Sequence, residues 1–106
     1  MNILFNTDKT ISGEERQQDF FIDLIGKELK RFEQYITRIE AHLSDQNGKK
    51  EGVNDMQCVL EARLEGKQPV AVTCVADSTE KAVSGAIDKL KAMLDTMVGK
   101  IQNHSN

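Results

Sequence analysis

One stretch limits the possible folds more than any other, Ser78 to Ile101. Val83, Ala86, Ile87, Leu90, Leu94, Met97, Val98 and Ile101 recur at helical spacing and form one continuous apolar stripe. Asp77 and Ser78 stand ahead of it as N-cap candidates, and Asp77 with Glu80 has the spacing of a capping box. No proline interrupts the stretch, and Lys100 falls in its last turn, where a cation suits the exposed carbonyls. A helix of about six turns has to cover a wide apolar surface. The rest of the chain must supply that surface.

It does so with strands. Asn2 to Phe5 is short and apolar enough for a first strand, and Asn6-Thr7-Asp8-Lys9 reads as a turn. Ser12 and Glu15 have capping-box spacing, so a first helix is expected from near Gly13. Phe20, Phe21, Leu24, Ile25, Leu29, Phe32 and Tyr35 carry its stripe to about Gln34, with Gly26 inside it and Glu28 unexpectedly near the apolar side. Alternation follows, with Thr37, Ile39, Ala41 and Leu43 inward and Arg38, Glu40, His42 and Ser44 outward. A polar loop from residue 45 to about residue 55 separates this strand from the next. Met56, Cys58, Leu60, Ala62 and Leu64 then face in, Gly66-Lys67-Gln68 turns the chain, and Pro69 opens a strand with Val70, Val72, Cys74 and Ala76 inward.

The order strand, helix, three strands, helix, with one buried face per strand, predicts an α+β, two-layer β-α-β-β-β-α domain over residues 1–106. A four-stranded mixed sheet carries two long, roughly parallel helices on one face. A right-handed crossover sets the first two strands parallel, and the others form an antiparallel meander. Residues 103–106 are expected to fray.

Composition bounds function. With 14 basic and 17 acidic residues the formal net charge is -3, which argues against indiscriminate polyanion binding while leaving room for a local basic patch. No apolar run reaches a membrane span, and the N-terminus lacks signal-peptide character, so a cytoplasmic protein is expected. Cys58 and Cys74 have no metal spacing and read as buried free thiols. His42 lies outward on a strand without a nucleophile near it, and Gly48 and Gly52 lack the ending of a phosphate loop. No enzyme, metal or cofactor is expected.

The helix surfaces hold the candidate functional residues. At about 100° per residue, Arg16, Lys27, Lys30 and Arg31 share one flank of the first helix, and Glu15, Asp19 and Glu33 the other. On the last helix Lys81, Lys89 and Lys100 fall together with Gly85, Ala92, Thr96 and Gly99, while Lys91 takes the opposite flank. The acidic flank of the first helix is expected to face the basic flank of the last. Two consequences stay open: exposed inter-helix pairs, or a low cationic stripe that an RNA phosphate backbone can approach.

Several blocks, in this order and spacing, resemble the short form of the ribosome hibernation-promoting factor and ribosome-associated inhibitor A family. They are Arg31-Phe32-Glu33-Gln34-Tyr35, Ile36-Thr37-Arg38-Ile39, Leu43-Ser44-Asp45, Glu61-Ala62-Arg63-Leu64-Glu65-Gly66 and Ala86-Ile87-Asp88-Lys89-Leu90-Lys91. The chain looks most like a proteobacterial branch of it. The resemblance implies the same fold, and a hibernation-type stress factor that inhibits translation by occupying the mRNA and tRNA channel of the small ribosomal subunit. It implies ribosomal RNA as partner, no membrane, no small-molecule substrate and no C-terminal dimerisation domain. Lys89 and Lys91 match the family's Asp-Lys-Leu block, and Lys27, Lys30 and Arg31 its first-helix basic places; Lys81 and Lys100 join them by their sector. Typical members are more basic after that block than Asp95-Thr96-Met97-Val98-Gly99-Lys100, so weaker binding with a shallower salt dependence is expected. The alternative is a protein-interaction module that keeps the fold and does not bind ribosomes.

Overall fold

In the computed structural model, residues 1–7, 15–45 and 56–104 are described, with side chains for 1–7, 18–45 and 56–99. The first turn from Asp8, the Ser12 capping box, the loop beyond Asp45, the side chains of Arg16 and Lys100, and the end of the tail lie outside the described residues. Strand β1 (Asn2–Thr7) is followed by helix α1 (Glu15–Glu28), a 3-10 turn (Lys30–Phe32), strands β2 (Ile36–Asp45), β3 (Met56–Leu64) and β4 (Val70–Ala76), and helix α2 (Thr79–His104).

The sheet order is β1-β2-β3-β4. β1 runs parallel to β2, and the β2–β3 and β3–β4 pairs are antiparallel. Each helix leaves a strand of the same orientation, so both run back in roughly the same direction over one face of the sheet. This is the expected α+β, two-layer architecture. Along β3 the inward residues Met56, Cys58, Leu60, Ala62 and Leu64 are all buried, as the alternation predicts. Gly66 makes the β3–β4 turn with φ +73°, a backbone conformation that L side chains rarely adopt.

α2 buries Ala82, Val83, Ala86, Ile87, Leu90, Leu94 and Val98. Ser78 is its N-cap: the Lys81 amide donates to Ser78 Oγ at 3.2 Å, while Asp77 pairs with the Lys81 ammonium instead of closing a box with Glu80. Ser78→Ala should lower stability by about 1 kcal/mol, read as a shift of the urea midpoint at constant slope. α2 also approaches β4 closely. A Cβ built on Gly85 would overlap Cys74 Sγ, so only glycine allows that separation.

Four details depart from the sequence reading. β1 extends through Asn6 and Thr7, which pair with His42 and Leu43, since the parallel ladder supplies partners that a turn would not. α1 ends at Glu28 rather than near Gln34. From Leu29 the chain tightens, with Phe32 N–H donating to the Leu29 carbonyl and Tyr35 N–H to that of Phe32, and the apolar residues still point inward at a spacing of three. Phe20 is 55% exposed, its ring meeting Phe21 edge-on at 5.3 Å, whereas Phe21 stacks on Phe5 of β1. On β2 the register shifts between Ile36 and Arg38. Ile36 takes the buried place and Thr37 is exposed.

The two cysteines are free and directly opposite each other on β3 and β4. Burial, with Cys74 beside it, pushes the Cys58 thiol from 9.0 up to about 12, so it stays protonated and behaves as a small apolar side chain.

Candidate nucleic-acid interface

The position of α2 decides where its charges go. α2 packs over β3 and β4 with Gly85 against Cys74, so the flank carrying Gly85, Lys81 and Lys89 overhangs the β4 edge. Lys89 Nζ donates to the Thr73 carbonyl of that edge strand at 2.7 Å. Lys81 Nζ lies 3.2 Å from Asp77. The expectation that this flank faces the acidic side of α1 is therefore corrected. The expected low stripe is also filled at Gly85, which is pressed on the sheet rather than open to a backbone.

The flank of α2 that does meet α1 carries Lys91 and Asp95. Lys91 Nζ is 3.2 Å from Glu28 Oε1, which accounts for an acid so near the apolar side of α1. Arg31 grips Asp95 through two parallel bonds of 2.8 Å and lies over the Phe32 ring, 4.3 Å from its centroid. The pairing thus runs both ways, acid to base and base to acid. Beside it is a surface pocket of about 270 Å³ bounded by Arg31, Phe32, Tyr35, Asp95 and Val98.

Of the seven cations singled out from the sequence, Lys81, Lys89, Lys91 and Arg31 are thus each held by a protein acceptor. Lys27 and Lys30 are exposed and have no acid partner among the described residues. The side chain of Lys100 lies outside them. The described cations fall in three places. They form an exposed set of Lys27 on α1 and Lys30 in the 3-10 turn, an inter-helix set at Lys91 and Arg31, and an edge set at Lys81 and Lys89.

The opposite face of the sheet is open and mixed. It holds Asn2, Leu4, Arg38, Glu40, His42, Gln57, Val59, Glu61, Arg63, Thr73 and Val75, with no aromatic platform for stacked bases. Arg38 and Arg63 on this face were not singled out as binding residues. Among the described residues no group of three His, Cys, Asp or Glu side chains is gathered as for a metal ion, and no helix is long and apolar enough to cross a membrane.

A mixed four-stranded sheet covered on one side by two co-directional helices with basic positions along them defines the class: a small two-layer α+β domain. Residues 16–102 match the family described as Sigma 54 modulation protein / S30EA ribosomal protein. The chain belongs to this family, that of the ribosome hibernation and ribosome-associated inhibitor proteins. Solved structures that share the fold include the following two. One, titled a ribosomal subunit interface protein from Coxiella burnetii, has a TM-score of 0.72 at 16% identity, covering 93% of this chain and 99% of that one. The other, the N-terminal domain of Thermus thermophilus Protein Y, has a TM-score of 0.67 at 18% identity, covering 92% and 99%. A comparison with curated protein sequences finds no significant match.

Proposed function

We propose that this protein is a non-enzymatic, cytoplasmic hibernation-type factor that binds the small ribosomal subunit and inhibits translation by occupying the mRNA and tRNA channel. The observation that carries the reading is the family match over residues 16–102. The charge geometry supports it in a specific way. Lys27 and Lys30 meet RNA phosphates without giving up an acid partner. Lys81, Lys91 and Arg31 exchange a carboxylate for a phosphate, and exposed pairs of this kind are worth about 0 to 1 kcal/mol each. Lys89 and Lys100 complete the proposed contact set. The exchange makes the protein a weaker binder than a chain with the same cations unpaired.

Co-sedimentation with purified small subunits across a salt series tests this. Binding at low salt that weakens between about 50 and 200 mM, less steeply than for a more basic member of the family, is the expected result. A folded protein that stays in the supernatant at low salt defeats it. The held cations favour one other reading, a module that binds proteins through the same face. Its mark is a set of captured partners that survive ribonuclease treatment.

A further inference from the structure

The bulge on β2 does more than correct a register. Ile36 pairs with Leu64, but Arg38 pairs with Arg63, so Thr37 is one extra residue on β2. Continued regularly from Ile36, the ladder would set Arg38 opposite Ala62, on the buried face. The bulge re-aims Arg38 to the open face, a use to which bulges are often put. Thr37 Oγ1 donates to the Arg63 carbonyl at 3.0 Å and ties the bulge to the residue that Arg38 now faces.

The result is an arrangement that a sheet would not choose for its own stability. Arg38 stands directly opposite Arg63, and Glu40 directly opposite Glu61; like charges at such positions repel. Pairing runs along each strand instead, Arg38 Nη2 to Glu40 Oε1 at 3.3 Å and Arg63 Nε to Glu61 Oε1 at 3.4 Å. Each contact is long and uses one nitrogen of a five-donor fork. Arg38 Nε is buried and has no acceptor, and a buried donor without a partner calls for one. Both guanidinium groups remain reachable, the side chains being 35% and 51% exposed. The β3–β4 ladder reaches Ala62 and Val70, so no β4 residue is paired with Arg63.

We infer that Arg38 and Arg63, set side by side by the Thr37 bulge, form a binding site for a phosphate-class oxyanion on the open face of the sheet. A tetrahedral oxyanion presents enough oxygens to bridge the exposed ends of the two forks and relieves the repulsion between them. A carboxylate is the poorer ligand, because Glu40 and Glu61 already offer that chemistry and leave the donors unused. These two acids, with Glu65 just past Arg63, set the competition that an incoming anion must win, which a doubly charged phosphate does better. The site lies on the face opposite the helices and stands or falls apart from ribosome binding.

The test is a titration of the full chain with inorganic phosphate at constant ionic strength, chloride being the balancing anion, while the arginine Nε–Hε resonances are followed. The Arg38 and Arg63 signals should move saturably while that of Arg31, held by Asp95, stays. Arg38→Lys and Arg63→Lys keep the charge but lose the fork, and each should weaken binding roughly tenfold with the remaining amide spectrum intact. A uridine-only oligoribonucleotide forms the second arm. If it moves the same two signals, the site accepts a backbone phosphodiester; if inorganic phosphate alone does, the ligand is free phosphate. Static Arg38 and Arg63 signals, or phosphate affinity unchanged in both lysine variants, overturn the inference.

Discussion

Gly85→Leu should destabilise the protein by about 3 kcal/mol or more, because the side chain would start inside space already held by Cys74. The Cβ alone overlaps Cys74 Sγ, and overpacking of this kind commonly costs about 1–3 kcal/mol before longer atoms are placed. Set against a typical stability of about 5–15 kcal/mol, the loss should lower the melting temperature by about 10 °C or more. Gly85→Ala isolates the cause. Its helix propensity gain of about 1 kcal/mol opposes the clash, so the net loss should be small in the native background. In Cys74→Ala the sulfur is gone, the clash disappears, and Gly85→Ala should become stabilising. A double-mutant cycle by urea unfolding therefore yields a coupling of about 1–3 kcal/mol. Equal effects of Gly85→Ala in both backgrounds would show that the helix does not sit on β4 at this point.

That close approach illustrates what a sequence can and cannot disclose. Strands β3 and β4 were legible because every residue sits on a regular ladder, and alternation maps directly onto burial. β2 misled because Thr37, Ile39, Ala41 and Leu43 alternate as well as the true set does; the bulge that drops Thr37 out of it is a property of pairing with β3, not of the strand alone. The end of α1 carried a signal that went unread. Leu29, Phe32 and Tyr35 are spaced three apart, which is the period of the 3-10 turn found there. Candidate site residues were legible as a list of cations but not as an electrostatic surface. Glu28 meets Lys91 from 63 positions away and Asp95 meets Arg31 from 64, and no local pattern reports such distances. The flank of α2 that faces α1 depends on how the helix seats over β4, and Gly85 was the residue that announced it.

These two inter-helix pairs give the functional proposal its most distinctive consequence. Removing an acid should strengthen binding. Glu28→Gln frees Lys91, and Asp95→Asn frees Arg31, without altering either cation. The two ion pairs are partly exposed, so each change should cost less than about 1 kcal/mol of stability and leave the fold intact. On the small subunit the effect should be larger and opposite in sign. The double variant removes two negative charges from the helix face and makes two cations available to phosphates at no exchange cost. Each further phosphate neutralised steepens the dependence of log K on log salt by about 0.7 to 0.9. Two of them should therefore raise low-salt affinity by roughly tenfold or more, an advantage that fades as salt rises. Lys91→Gln in the same background should remove about half of that increase. Equal affinity and equal salt slope in the native and double-variant proteins would take Lys91 and Arg31 out of the RNA interface. That would leave Lys27, Lys30, Lys81 and Lys89 as the described cations on which ribosome binding must then depend.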